Sequence, residues 1–101
     1  MRPRTSRKAV SGLCEIAETA EFRKRLADLS LPEQRRITQK LTDYIYPILR
    51  GNPFSGPNIK RLSNYSPATR RYRLAQYRIF YQIHPRIVFV VSIQKRKDAY
   101  G

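Results

Sequence analysis

The residues best suited to do chemistry in this sequence are arginines that alternate with aromatic and apolar residues over positions 70–81, RRYRLAQYRIFY. If positions 75 and 76 form the loop of a tight hairpin, Arg73 faces Arg78 and Arg71 faces Phe80, and each pair points to one face of the sheet. Like charges directly opposite each other destabilise a sheet, and an anion between them removes that penalty. A guanidinium group donates two hydrogen bonds to a phosphate at once, and the ring of Phe80 offers a surface on which a base can stack.

The hairpin loop leaves one alternative open. Alanine and glutamine are poor at turn positions that need a positive φ. A wider loop would shift the pairing by one residue and separate the arginines that the tight hairpin brings together.

Other residues that could do chemistry are isolated in the sequence. Cys14 is the single cysteine and the chain has one histidine to activate it, so we expect a small buried hydrophobic side chain there. His84 precedes Pro85 in a predicted turn, where a surface residue is a simpler interpretation than a catalytic base. Asp98 has no carboxylate neighbour, and the chain shows neither a Cys/His cluster nor a glycine-rich phosphate loop. We therefore expect no metal and no cofactor.

The net charge of +14 at pH 7 is concentrated in the C-terminal part of the chain. Residues 13–57 hold seven basic and six acidic residues, whereas residues 58–101 hold ten basic residues and one acid. A solvated face is the ordinary explanation of a charge run. Here the excess lies in strand-like sequence, so a polyanion that relieves the repulsion is the better interpretation.

Length and composition predict one domain behind a short tail. Residues 1–12 carry four positive charges and little to bury, so we expect a basic flexible tail at 1–12 and a folded domain at 13–101. The single cysteine and the absence of a secretory signal or of an apolar stretch near ~18 residues are typical of a cytoplasmic protein that does not contact a membrane.

Two helices are predicted ahead of the arginine-rich hairpin. Positions 13–18 indicate a short strand, and Thr19 then caps a first helix. Ser30 and Glu33 have the spacing of a capping box, which begins a second helix over 32–50. Gly51 follows as the residue that ends this helix. Its expected buried stripe consists of Ile37, Leu41, Tyr44, Ile45, Ile48 and Leu49.

The remaining elements are strands. Residues 59–62 indicate a short edge segment between two loops, residues 77–83 alternate with period two, and the almost entirely apolar residues 87–93 predict a central strand covered on both faces. The order β-α-α-β-β-β predicts an α+β fold in which the two helices pack on one face of a small, twisted, antiparallel-rich sheet. The other face is left for the arginines.

The C-terminal pieces RYRLAQYRIFYQI and IVFVVSIQKRKDAY resemble the signature of RelE/ParE-superfamily toxins of type II toxin–antitoxin systems. Members read as an arginine-rich strand, a tight turn, Tyr-Arg-apolar-apolar-Tyr, an apolar strand and a closing Arg-Lys-Asp-x-Tyr. The resemblance covers residues 13–101, loosely in the N-terminal half. It implies the fold given above and a cognate antitoxin whose C-terminal segment wraps the toxin.

For the RelE branch, the resemblance implies cleavage of mRNA on the ribosome, in which a 2′-hydroxyl attacks the adjacent phosphate. Arg78 matches the strand arginine that stabilises the transition state, Arg96 the arginine that assists the phosphate and the leaving oxygen, and Tyr100 the tyrosine that orients the RNA. Arg71 and Arg73 match positions that are lysines in the best-known RelE proteins. Since arginine is effectively always charged, either one would stabilise charge, and the general base stays open.

The resulting site has a catalytic and a binding part. The catalytic candidates are Arg73, Arg78, Arg96 and Tyr100. The RNA-binding candidates are Lys60, Arg61, Arg71, Phe80, Lys95 and Lys97. For Lys60 and Arg61 a solvated sheet edge is an equal alternative.

Two other functions stay open. ParE-like members share the fold but poison DNA gyrase and do not cut RNA; they usually lack the complete Arg, Arg, Tyr set, which favours the RelE branch here. A non-catalytic module that binds RNA or the ribosome would share the basic face without needing Arg78, Arg96 and Tyr100 to converge.

Overall fold

Five strands form one sheet in the computed structural model, which describes residues 13–96. The strands are β1 (Glu15–Glu18), β2 (Ile59–Arg61), β3 (Arg70–Leu74), β4 (Tyr77–His84) and β5 (Ile87–Lys95). Their order across the sheet is β1-β5-β4-β3-β2. β1 runs parallel to β5 and the other neighbours are antiparallel, which confirms the predicted α+β fold with an antiparallel-rich sheet.

The helical part consists of α1 (Ala20–Ala27), α2 (Leu31–Lys40), one π-helical turn (Leu41–Ile45) and α3 (Tyr46–Gly51). Both predicted N-caps are present. The Thr19 hydroxyl accepts a hydrogen bond from the Phe22 backbone N–H, and Ser30 and Glu33 form the reciprocal capping box. Because the Thr19 N–H also donates to the Val90 carbonyl at 3.0 Å, the start of α1 is fixed to the central strand.

The core lies between the helices and one face of the sheet. Residues four apart along the second helical run make up its buried stripe, and β4 and β5 supply the opposite wall. The six residues predicted to share this core are all buried in it, namely Ile37, Leu41, Ile45, Leu49, Ile79 and Val90. Packing on this face therefore follows the hydrophobic period of the sequence.

The predicted burial is wrong for two residues of the stripe. Tyr44 is 57% exposed and Ile48 is 45% exposed, whereas Tyr46 is buried. The cause is the π-helical turn, which closes with a hydrogen bond from the Tyr46 N–H to the Leu41 carbonyl. This wider turn keeps residues four apart on one face and rotates residues three apart off it.

Both ends of the second helical run also differ slightly from the prediction. Helix α2 begins at Leu31 and not at 32, and Gly51 is the last residue of α3, so Asn52 is the residue that ends the helix. Pro47 lies just after the π-helical turn. A proline has no N–H to donate to the carbonyl four residues earlier, so a wider turn at this point accommodates it.

Strand β5 was predicted to be covered on both faces, but it is fully covered on one face only. Val88, Val90 and Ile93 are buried, and the intervening residues are half-buried. The helices pack on one face only, and we call it the helix face; we call the opposite face, which carries Arg71, Arg73, Arg78, Phe80 and Gln82, the open face.

No helix within residues 13–96 is long and apolar enough to cross a membrane. The predicted basic tail at 1–12 lies outside the described residues.

Candidate nucleic-acid interface

The β3–β4 hairpin has the tight register that brings the arginines together. Arg73 pairs with Arg78, and Arg71 pairs with Phe80. Their neighbours Tyr72 and Ile79 are buried on the helix face, so the alternation of each strand directs the arginines to the open face. The wider loop is therefore excluded. Ala75 adopts φ 52°, a conformation that alanine rarely takes, and the pairing of the two strands holds it there.

The end of β5 reaches the same hairpin. The backbone N–H of Arg96 donates to the Gln76 carbonyl at 2.5 Å, which ties the chain leaving β5 to the hairpin loop. As a result Arg73, Arg78 and Arg96 line a single cavity of about 260 Å³, together with Asn58 and Ala75. The structure thus brings together three of the four predicted catalytic residues. The fourth, Tyr100, lies outside the described residues, as does Lys97.

Asn58 organises the wall of this cavity through its backbone. Its carbonyl accepts a hydrogen bond from the Arg73 backbone N–H at 2.9 Å and another from Arg71 Nη1 at 2.8 Å. The guanidinium of Arg71 is therefore held in place before any ligand arrives. Asn58 was not predicted from the sequence, because its backbone carbonyl accepts these hydrogen bonds and any residue at this position has one.

The arginines of the open face repel one another. The pKa of Arg71 is lowered, first because the side chain is partly desolvated and then because Arg78 and Arg73 carry the same charge nearby. The sequence has no acidic residue between Asp43 and Asp98. An anion with several oxygens is the ligand that this arrangement favours, since each guanidinium can donate to two of them.

The cavity can stabilise negative charge but has no ordinary base. Among the described residues that line it, none is a carboxylate, an imidazole or an amine. The Nη1 atom of Arg78 is shielded from solvent, and a charge acts more strongly where water is excluded. The arrangement therefore suits electrostatic stabilisation of a developing charge.

Lys95, which the sequence placed among the RNA-binding candidates, points to the helix face. Its Nζ lies 2.8 Å from Glu33 Oε2, and the Tyr77 hydroxyl donates to the same carboxylate. The reason is a β-bulge between Phe80 and Tyr81, where the pairing skips one residue of β5 and the alternation along that strand reverses. Lys95 therefore anchors the end of β5, one residue before Arg96.

Glu33 forms the centre of that anchor. Its pKa is lowered to about 2, first by Lys95, then by the Tyr77 hydroxyl and then by the Ser30 backbone N–H of the capping box. One carboxylate thus joins the start of α2 to the start of β4 and the end of β5. Through Lys95 it positions the next residue, Arg96, at the cavity.

The two candidates on β2 lie on different faces. Lys60 pairs with Arg71 and so shares the open face, whereas Arg61 pairs with Arg70 on the other side. Phe80 lies on the open face as expected, in a second, smaller cavity beside the arginines. Among residues 13–96, the RNA-binding candidates that lie on the open face are Lys60, Arg71 and Phe80.

Known proteins resemble the chain in sequence and in structure. The family model for the ParE toxin of the type II toxin–antitoxin system parDE matches residues 16–100. No curated protein matches the chain.

Solved structures share the fold. The archaeal RelE–RelB complex from Pyrococcus horikoshii OT3 is 18% identical with a TM-score of 0.62, and the match covers 83% of this chain and 96% of that one. The toxin–antitoxin complex RelBE2 from Mycobacterium tuberculosis is 20% identical with a TM-score of 0.63, covering 83% of this chain and 99% of that one. A mutant of the E. coli toxin RelE in the free state is 18% identical with a TM-score of 0.61, covering 87% and 88%.

Proposed function

The chain belongs to the ParE toxin family of type II toxin–antitoxin systems, and from the arrangement of its arginines we propose that it is a ribosome-dependent mRNA endoribonuclease. It acts in the cytoplasm, binds the ribosome and mRNA, and is held inactive by a cognate antitoxin. The observation that carries the proposal is the convergence of Arg73, Arg78 and Arg96 on one cavity.

The proposed reaction breaks one phosphodiester bond. The 2′-oxygen forms a bond to phosphorus, and the bond from phosphorus to the 5′-oxygen of the next nucleotide breaks. The products are a 2′,3′-cyclic phosphate and a 5′-hydroxyl, and water takes the proton from the nucleophile and supplies one to the leaving oxygen. The role of the protein is to stabilise charge on the phosphate oxygens and on the leaving oxygen.

The three arginines divide this role by position. Arg73 and Arg78 lie directly opposite each other, so their guanidinium groups can approach two non-bridging oxygens of one phosphate. Arg96 enters from the end of β5 and supplies the charge nearest the leaving oxygen. Tyr100, four residues further along the chain, orients the RNA.

A second function is favoured by the family match itself. The matching family is named for ParE, and the resemblance to ParE-like toxins implies that the target is DNA gyrase. A basic open face would serve that function through contacts with DNA or with the enzyme, and it would not need the three arginines to act on one phosphate.

Controlled expression in cells separates these functions. We expect wild-type protein to produce cuts in a translated message, mapped by primer extension, and we expect Arg78→Ala to abolish them. Arg35→Ala, on the exposed side of α2, removes the same charge away from the cavity and should cut like wild type. Gyrase-linked DNA breaks without RNA cuts would favour the ParE function. The absence of both lesions would favour a non-catalytic module that binds RNA or the ribosome.

A further inference from the structure

A second cavity of about 180 Å³ lies on the open face next to the arginines. Its walls come from β4, β5 and the loop before β3. The residues that matter for its chemistry are Tyr65, Thr69, Phe80, Gln82, Ser92 and Gln94. It is smaller than the ~300–1,000 Å³ clefts that hold drug-sized ligands, and its aromatic and amide lining suits one flat, polar ring.

The two cavities adjoin each other. Phe80 follows Arg78 by two residues on the same face of β4, which separates them by about 7 Å. Gln94 lies opposite Arg78 on β5 and lines the second cavity. A nucleotide whose phosphate lies between the arginines can therefore direct its base toward Phe80.

Two aromatic rings provide the stacking surface. Phe80 and Tyr65 both line the cavity, and Tyr65, on the loop before β3, is 55% exposed. Stacking on aromatic side chains contributes about 1–3 kcal/mol for each base and accepts any base. Stacking alone therefore gives affinity without discrimination.

Discrimination requires a fixed hydrogen-bonding group, and Gln82 is one. Thr69 is 4% exposed, and its hydroxyl donates to the Pro67 carbonyl at 3.0 Å, so the same oxygen can only accept from Gln82. Gln82 Nε2 donates to it at 3.3 Å. This chain of hydrogen bonds sets which end of the amide is nitrogen and which is oxygen.

We propose that this cavity receives one nucleobase of the RNA, stacked on Phe80 and read by the Gln82 amide, with adenine preferred. A glutamine amide with a fixed orientation can both accept a hydrogen bond from the adenine N6 amino group and donate one to N7. The proposal rests on the proposed function, because it assigns the cavity to the same RNA whose phosphate the arginines bind. It makes Gln82 a specificity-determining residue and Thr69 a positioning residue.

A binding measurement tests the proposal without any cleavage. The full chain is titrated with adenosine 5′-monophosphate, uridine 5′-monophosphate and inorganic phosphate, and amide shifts are followed by NMR. We expect all three ligands to shift the signals of Arg73 and Arg78. Only the nucleotides should shift Phe80 and Gln82, and adenosine 5′-monophosphate should bind more tightly than the uridine nucleotide.

Variants separate the contributions of stacking and reading. Phe80→Leu should weaken both nucleotides at least about fivefold, the lower end of the stacking range. Gln82→Leu and Thr69→Val should remove the preference for adenine while phosphate binds as before. Gln39→Leu, on an exposed turn of α2, is the matched control and should behave as wild type.

Two results would overturn the proposal. One is binding of the nucleotides no tighter than inorganic phosphate, and the other is an unchanged adenine preference in Gln82→Leu. Because no ribosome takes part, loss of the proposed nuclease activity would not produce either result. Conversely, RNA cuts in cells combined with either result would contradict the assignment of the second cavity as a nucleobase site, which we call the base pocket. The proposed nuclease function would then still stand.

Discussion

The helix face and the open face of the sheet are built from alternate residues of the same strands. Near the β3–β4 hairpin, the positive charges on the two faces have different neighbours. On the helix face, Lys95 lies 2.8 Å from the Glu33 carboxylate, which also accepts from Tyr77. On the open face, Arg73 lies directly opposite Arg78 with Arg71 beside them. The positive charge of Lys95 is matched by a carboxylate, whereas the positive charge of Arg73 is placed against that of Arg78.

The two faces therefore have different roles: the helix face stabilises the fold, and the open face carries the residues proposed to bind RNA. A fold selected for stability alone would avoid like charges opposite each other, since such pairs destabilise a sheet. The helix face holds the core, which is why the strands can carry that repulsion. Variants on the two faces should therefore change different measurements.

The largest expected effect on stability comes from the helix face. Leu41→Ala should lower the free energy of unfolding by about 2–5 kcal/mol, because it removes a fully buried side chain and leaves a cavity. Urea denaturation measures this. Ile48→Ala, on the exposed side of the same helical run, is the control and should stay within about 0.5 kcal/mol of wild type. Equal losses for both would mean that the core is not where the structure has it.

Removing one charge from the open face should raise the free energy of unfolding, whereas the core variant lowers it. Arg73→Gln should raise the free energy of unfolding by up to about 1 kcal/mol at low salt, since it relieves the repulsion with Arg78. The gain should shrink as salt screens the charges. Arg35→Gln changes the net charge equally but away from the pair, and it should give no such gain. A loss of stability in Arg73→Gln would show that the arginines are not under strain from one another.

The smallest effect concerns the anchor at Glu33. The pKa of this carboxyl is lowered from its ordinary value of 4.5 to about 2 in the folded protein. A lowered carboxyl pKa gives stability that is present above pH 4.5 and is lost as the pH falls toward 2.

Glu33→Gln tests that anchor. The free energy of unfolding of wild type should drop more steeply than that of the variant between pH 4.5 and 2, in denaturation curves recorded at each pH. Parallel curves for the two proteins would show that the carboxylate has no role in holding the end of β5.

Sequence patterns predicted most of the helix face because burial has a regular period. The stripe from Ile37 to Leu49 follows a four-residue spacing, and the caps at Thr19 and Ser30 follow from local hydrogen bonding. Tyr44 was misplaced because the π-helical turn, which ends shortly before Pro47, changes the rotation of the helix.

The open face was predictable only in part. The opposition of Arg73 and Arg78 followed from hairpin pairing, although Ala75 is a poor residue for its φ of 52°. The side on which Lys95 lies depends on the β-bulge in β5, and nothing in the apolar sequence of that strand marks which residue is skipped. The base pocket was missed because Tyr65 and Thr69 reach it from a loop.

The most direct test of the account is the rate of cleavage of mRNA on programmed ribosomes by purified protein. We expect Arg78→Ala and Arg96→Ala each to slow a single turnover by about 10²–10³, the loss typical of one charge-stabilising donor. Arg78→Lys should recover little of that loss. The double variant should lose less than the product of the two, because the residues act as a unit. Cleavage at the wild-type rate by both alanine variants would contradict this role for the arginines. They would then be explained as an ordinary solvated basic surface.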